Sequence, residues 1–327
     1  MAWDINDMES AGLLPKEISD EIFTTVDRRS TVARLSQNER VEIGTETFIP
    51  VSDDVPRAQV WEEGQLREAS DYSLRTVAIE PVRVQVGIEL SDLAVRTNSP
   101  SKTLADVQRK LSNAISNQID LAVFHGRQEL GAKKLTRFTG LYDQIDLIDG
   151  VQEGDDTISA QGIEDVAWDA YDQIIGNQFG RTPNGVAFDS TVHSVFGRAR
   201  TPQGARLYPD LNLNGNELMN FSGLNASFNS TVSGRVAGMA DTGLRAIVGD
   251  FSALRYGVSS AISFRKETTG DPLGKGDLVR RGMVAYIADF NFGFAIVSPE
   301  SFVGIVDPSK AGDKPAGGTA STATPAA

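Results

Sequence analysis

Few residues in this chain have the types and spacing that chemistry needs. Cysteine is absent, which removes thiolate nucleophiles, disulfides and thiolate metal sites. There are two histidines, His125 and His193. His125 falls at the predicted C-terminus of a helix, where the helix dipole favours a cation. His193 lies between Ser190 and Ser194, but no G-x-S-x-G elbow occurs to present a serine nucleophile. The stretch "GDPLGKGD" has the look of a phosphate loop. Thr269 stands where the first glycine is required, and Gly276 where Ser or Thr would bind magnesium, so a hairpin turn is the expectation. "DQIDLIDG" spaces Asp143, Asp146 and Asp149 by three, whereas an EF-hand calcium loop spaces its ligands by two. Asp53/Asp54, Glu62/Glu63 and Asp155/Asp156 are adjacent in sequence, so the members of each pair diverge rather than share a proton. The expectation is no catalytic residue, no metal and no cofactor.

The elements that would position a site are more informative. Val82, Val84, Val86, Ile88 and Leu90 alternate with Arg83, Gln85, Gly87 and Glu89, the pattern of a half-buried strand. A helix is predicted from Thr103 to about His125, with Thr103 and Asp106 resembling a capping box. Its apolar stripe is Leu104, Val107, Leu111, Ile115, Ile119 and Ala122, and Gly126 supplies a stop. Upstream, Val41–Val51 and Ser73–Ile79 read as the two legs of one long hairpin, with a phase break at Glu80-Pro81. Each leg with its share of the tip reaches roughly 25–35 Å at about 3.3 Å per residue. The tip, Ser52–Tyr72, holds six acids, two arginines, Pro56, Gly64 and Trp61. A structureless loop of that length marks a functional excursion from the body.

Residues 1–40 read as a polar arm with a weak helical pattern at Ile18, Ile22, Phe23 and Val26. Further helices are predicted at Gln161–Asn177 and after Asp189 or Ser190, and strands at Val186–Phe188 and Arg245–Val248. After Asp250 strands dominate, in "AISFRKET", "LVRRGMVAYIADF" and "GFAIVSPESFVGIV". The tail after Asp307 is small, polar and proline-bearing, with nothing to bury. With 327 residues the chain can hold a large core. No window of about 18 apolar residues could span a bilayer, and "MAWDINDMES" has no signal-peptide pattern. A net charge of −13 without a dense basic run argues against binding of nucleic acid by phosphate neutralisation, and leaves only a local basic face open.

This order of parts resembles the major capsid proteins of tailed double-stranded DNA bacteriophages, the Hong Kong 97-type fold. The resemblance runs from about Leu14 to Val306. "LLPKEISDEIF" is similar to the opening arm, Gln59–Leu90 to the extended loop running into the peripheral domain, and Thr103–His125 to the spine helix. "VGDFSALRYGVSSAISFRKE" and "GMVAYIADFNFGFAIVSPESFVGI" are similar to the strands that close the peripheral domain. The resemblance implies an α+β fold: N-terminal arm 1–40, extended hairpin loop 41–80, peripheral domain 81–134 with the spine helix, axial domain 135–249, second part of the peripheral domain 250–306, and disordered tail 307–327.

It also implies a structural role. Copies would form pentamers and hexamers and tile an icosahedral shell around double-stranded DNA, without sequence-specific binding and without a membrane. A separate scaffolding protein, a portal and a decoration protein are the implied partners, and the virion, assembled in the host cytoplasm, is the implied location. In the family the extended loop lies across a neighbouring subunit. That makes Trp61, Glu62, Glu63, Arg67 and Glu68 the expected inter-subunit contact, an interfacial aromatic with a charged rim. Trp61 folded back on its own domain stays open on sequence alone. So do an encapsulin-like cellular compartment, which shares the fold, and a soluble two-domain hydrolase, which would need a pocket. No lysine lies between Lys16 and Lys102, so the extended loop lacks the amine that crosslinking members of the family use.

Overall fold

The computed structural model describes residues 29–36, 41–42, 47–51, 60, 74–79, 81–97, 100–150, 158–176, 181–209, 211, 220–236, 240–258 and 263–310. In chain order the elements are α1 (Thr31–Leu35), β1 (Val41–Glu42), β2 (Thr47–Val51), β3 (Arg75–Ile79), β4 (Val82–Ser91), α2 (Asp92–Thr97), α3 (Pro100–His125), α4 (Leu141–Gln144), β5 (Asp146–Asp149), α5 (Ala160–Gly176), β6 (Gly185–Phe188), α6 (Ser190–Arg198), β7 (Asn220–Phe221), β8 (Leu224–Phe228), β9 (Leu244–Gly249), β10 (Leu254–Val258), β11 (Ser263–Glu267), α7 (Leu278–Arg281), β12 (Met283–Ile296) and β13 (Phe302–Val306). Single 3-10 turns join several of these.

The alternation of β4 has a physical partner in β12. The two strands run antiparallel with Val82 opposite Phe292, Val84 opposite Phe290, Val86 opposite Ala288, Ile88 opposite Tyr286 and Leu90 opposite Val284. Strand period two puts every one of those residues on one face, and that face packs in the same core as α3. From α3 come Val107, Leu111, Ile115, Ile119 and Ala122, all buried. Each buried aliphatic side chain contributes about 1.5–3 kcal/mol, so the stripe and the alternating strand hold each other in phase. The other edge of β12 takes β10 and β11 in turn, and β1 runs parallel to β10. On the opposite face Ala285 and Ile287 are covered by Leu273 and Leu278 from the turn between β11 and β12.

The second sheet has strand order β5-β13-β9-β6-β8-β7. Ile163, Val166, Ala170 and Ile174 of α5 cover it, packed with Val186, Phe188, Val248, Val303 and Ile305. Asp189 caps α6, accepting a hydrogen bond from the Thr191 amide.

Several expectations are corrected. The spine helix begins at Pro100 rather than Thr103, so Thr103 lies within the helix and cannot cap it. Asp106 instead pairs with Arg109 and Lys110, one turn on. "LVRR" is a helical turn capped by Asp277 and ended by Gly282 in the left-handed region, because the chain must reverse there before β12 begins. Val41–Val51 is divided between two sheets: β1 joins the body, and only Thr47–Val51 forms a leg of the hairpin. The last strand, expected with 250–306 in the sheet of β4, instead enters the second sheet between β5 and β9. Asp307 and the turn to Lys310 are ordered against Gly243 and Arg245, so the tail starts later than expected. The helical pattern at 18–26 and the rest of the tail lie outside the described residues.

Candidate inter-subunit surface

β2 and β3 form a two-stranded antiparallel ribbon with Thr47 opposite Ile79 and Val51 opposite Arg75. Burial alternates between its two faces: Val51, Ile49 and Val77 pack on the core of the body, while Phe48, Pro50, Thr76 and Ala78 face outward. Ile79 at the root is fully buried against Ala295, with Ile49 and Val77 beside it. Phe48 is 61% exposed and Leu74 is 63% exposed. A two-stranded ribbon is marginal in water by itself; here one face is held on the body, and among the described residues nothing covers Phe48 and Leu74 on the other. Val60, in the tip, is 89% exposed. The five residues expected at the contact, Trp61, Glu62, Glu63, Arg67 and Glu68, lie outside the described residues.

The junction between arm, spine helix and second sheet is a residue that periodicity did not single out. Asp120 sits on α3 with no exposed surface. One carboxylate oxygen accepts from Ser30 Oγ at 2.6 Å and the Val32 amide at 3.2 Å. The other accepts from the Thr31 amide at 3.0 Å, Asn229 Nδ2 at 2.9 Å and Thr231 Oγ1 at 3.3 Å. The first turn of α1 is thereby tied to α3 through its orphan amides. Burial pushes the Asp120 carboxyl up to about 6, against the opposing pull of the hydrogen bonds from Ser30, Thr31, Val32 and Thr231.

The same 229–235 turn meets His125 one turn further on, where Nε2 lies 2.8 Å from the Val232 carbonyl oxygen. His125 is buried and its pKa is lowered by desolvation, which corrects the expected dipole-stabilised cation: the ring is held neutral in the core. On its far side the turn is fastened by Ser233 Oγ donating to Asp189 at 2.6 Å. Arg235 reaches Asp189 at 3.1 Å, and the buried Arg245 binds Asp241 at 3.0 Å and Asp307 at 3.3 Å.

The other residues with chemical potential are dispersed. His193 packs edge-on against Phe228. Asp143 is paired with Lys134 at 2.7 Å, and Asp146 accepts from Gln173. "GDPLGKGD" is the turn leading from β11 into α7, with Gly270, Gly274 and Gly276 at positive φ. Among the described residues no three His, Asp or Glu side chains could hold a metal ion, and no helix is long and apolar enough to cross a membrane.

Comparison with known proteins gives this arrangement a family. No curated protein matches the chain. A family model described as the phage capsid family matches residues 11–307. A solved structure from Gordonia phage Cozz is 32% identical with a TM-score of 0.68, the match covering 85% of this chain and 86% of that one. One from Mycobacterium phage Ogopogo is 28% identical with a TM-score of 0.67, covering 85% and 92%. The capsid of a native GTA particle shares the fold at 12% identity, with a TM-score of 0.53 and coverage of 86% and 90%. The α+β, Hong Kong 97-like architecture expected from the order of parts is the one found. The chain belongs to the phage capsid family, as a major capsid protein of the icosahedral shell.

Proposed function

We propose that this structural protein assembles as pentamers and hexamers into an icosahedral head that encloses double-stranded phage DNA. The hairpin of each copy lies across its neighbour, with Trp61 buried in the contact and Glu62, Glu63, Arg67 and Glu68 around it. The observation that carries this reading is the ribbon β2–β3: its inner face packs on the body through Ile79 and Val51, and its outer face leaves Phe48 and Leu74 exposed at the base of the polar tip. Large apolar side chains on its outward face suit a contact in which another copy covers them. The lobe spanning 135–249 surrounds the axis of each capsomer, and the sheet of β4 and β12 with α3 forms its periphery. Scaffolding, portal and decoration proteins complete the particle, which assembles in the host cytoplasm. The shell holds DNA without gripping it, in keeping with a net charge of −13.

Light scattering and negative-stain microscopy of the chain expressed alone and with its scaffold test the proposal. Closed particles or discrete five- and six-membered rings are expected. A monodisperse monomer under every condition would overturn it.

A further inference from the structure

We propose that the basic surface centred on Arg137, at the root of the hairpin, receives the acidic hairpin tip of a neighbouring copy. The inference rests on the reading that the hairpin crosses to a neighbour, and it names the surface on which the tip lands.

The charge of the chain is unevenly placed. Residues 52–72 carry six carboxylates against two arginines, and residues 1–28 carry seven against two cations. These two segments hold most of the net −13. The turn after α3 is the reverse: residues 127–137 contain Arg127, Lys133, Lys134 and Arg137 against Glu129 alone. Arg127 and Lys134 face each other across an isolated antiparallel bridge. Lys134 is engaged by Asp143, and Glu129 is turned toward Asn117. Arg127, Lys133 and Arg137 are exposed, and none has a carboxylate within ion-pair distance among the described residues. Other arginines of the fold, Arg245, Arg265 and Arg281 among them, are paired with carboxylates.

Arg137 also stands between two shallow grooves. One is bordered by Pro81, Arg83 and Leu135, the other by Ala78, Gln144 and Phe294. Among the described residues no carboxylate lines either groove. Phe138 and Phe294 stack at 4.7 Å beneath them and supply an apolar floor. An unpaired guanidinium over an apolar floor suits an aromatic ring flanked by acids. The tip contains that sequence, Trp61-Glu62-Glu63.

Two charge-reversed chains test this, each expressed with scaffold: Lys133→Glu with Arg137→Glu, and Glu62→Lys with Glu63→Lys. Each alone is expected to keep the melting temperature of the wild-type subunit and to lose at least tenfold in particle yield. Expressed together they should recover rings of six holding both chains in equal amounts, because the complementary contacts alternate around an even ring, while closed particles, whose rings of five cannot alternate, should return when all four changes sit in one chain. Either variant assembling at wild-type yield would overturn the proposal. Recovery with all four changes in one chain but no mixed rings of six on co-expression would overturn it in favour of docking on the chain's own body. Normal shells that package less DNA would assign the surface to nucleic acid instead. Should a reversal lower the melting temperature, Lys133→Gln with Arg137→Gln replaces it, and its assembly must lose the salt sensitivity of the wild type. A wild-type chain that forms no particle with scaffold would instead defeat the proposed function itself.

Discussion

Asp120 joins three parts of the chain through one side chain, and removing it strands five donors. Ser30, Thr31 and Val32 belong to the arm, Asn229 and Thr231 to the turn before the second sheet. Asp120→Ala is expected to cost about 3 kcal/mol or more, since each buried donor left unsatisfied costs about 1–3 kcal/mol. Urea unfolding checks this. The carboxyl also makes stability depend on pH in a defined sense. Its folded pKa is raised from 3.8 to about 6, so the folded state holds the proton more tightly than the unfolded state. The associated stability is fully present below the unfolded value and is lost as pH rises through about 6. Against the non-titrating Asp120→Asn chain, the advantage of the wild type should narrow by about 2 kcal/mol between pH 4 and pH 7. An advantage that widens over that range would show that the hydrogen bonds, not burial, dominate at this carboxyl.

At the scale of elements, the end of α3 depends on two glycines packed back to back. Gly126 adopts φ +59, and a Cβ there would meet the Phe138 carbonyl oxygen at 2.9 Å. A Cβ on Gly140 would lie 2.3 Å from the carbonyl carbon of His125. Gly140→Ala therefore forces apart the helix end and the turn that carries Arg137, and should lower the melting temperature of the free subunit by several degrees. On the proposed reading the hairpin tip behaves oppositely, its contribution being made on a neighbouring copy. Trp61→Ala should leave circular dichroism and melting of the subunit nearly unchanged while particles become fragile or fail to form. The scale of such a contact is about 2–4 kcal/mol in every copy. Glu62→Ala with Glu63→Ala should do less, because charges at a rim are screened. If Trp61→Ala unfolds the isolated subunit, the residue belongs to a local core and the hairpin does not cross to a neighbour.

For the whole molecule, the distribution of lysine sets how the shell is held together. No lysine occurs between Lys16 and Lys102, so the hairpin offers no amine for an isopeptide bond, and arginine, protonated at any usable pH, cannot replace it. Boiled mature particles should run on a denaturing gel as a single species near the 35.2 kDa chain mass. A ladder of covalent multiples would contradict this. A shell without covalent links relies on repeated contacts such as the hairpin and its receiving surface. Strong salt should therefore loosen it to the extent that those contacts are ionic.

The order of parts was legible because its signals are local. The β4 alternation, the stripe from Val107 to Ala122 and the stop at Gly126 are periodicities or single-residue conformations that neighbouring residues encode. The pairing of Thr47–Val51 with Arg75–Ile79 was legible for the same reason, because alternation marks both legs. Other features needed the tertiary structure. Phe302–Val306 is buried along its whole length, and nothing in "FVGIV" distinguishes one sheet edge from another; pairing with β9 and β5 decides it. Asp120 reads as an ordinary polar position on a helix until Ser30, 90 residues away, and Asn229, 109 away, are brought to it. Burial likewise made His125 neutral where its place at a helix end predicted a cation. Hydrogen bonds across such separations leave no periodic trace in a sequence, because only the closed chain brings donor and acceptor within 3 Å of each other.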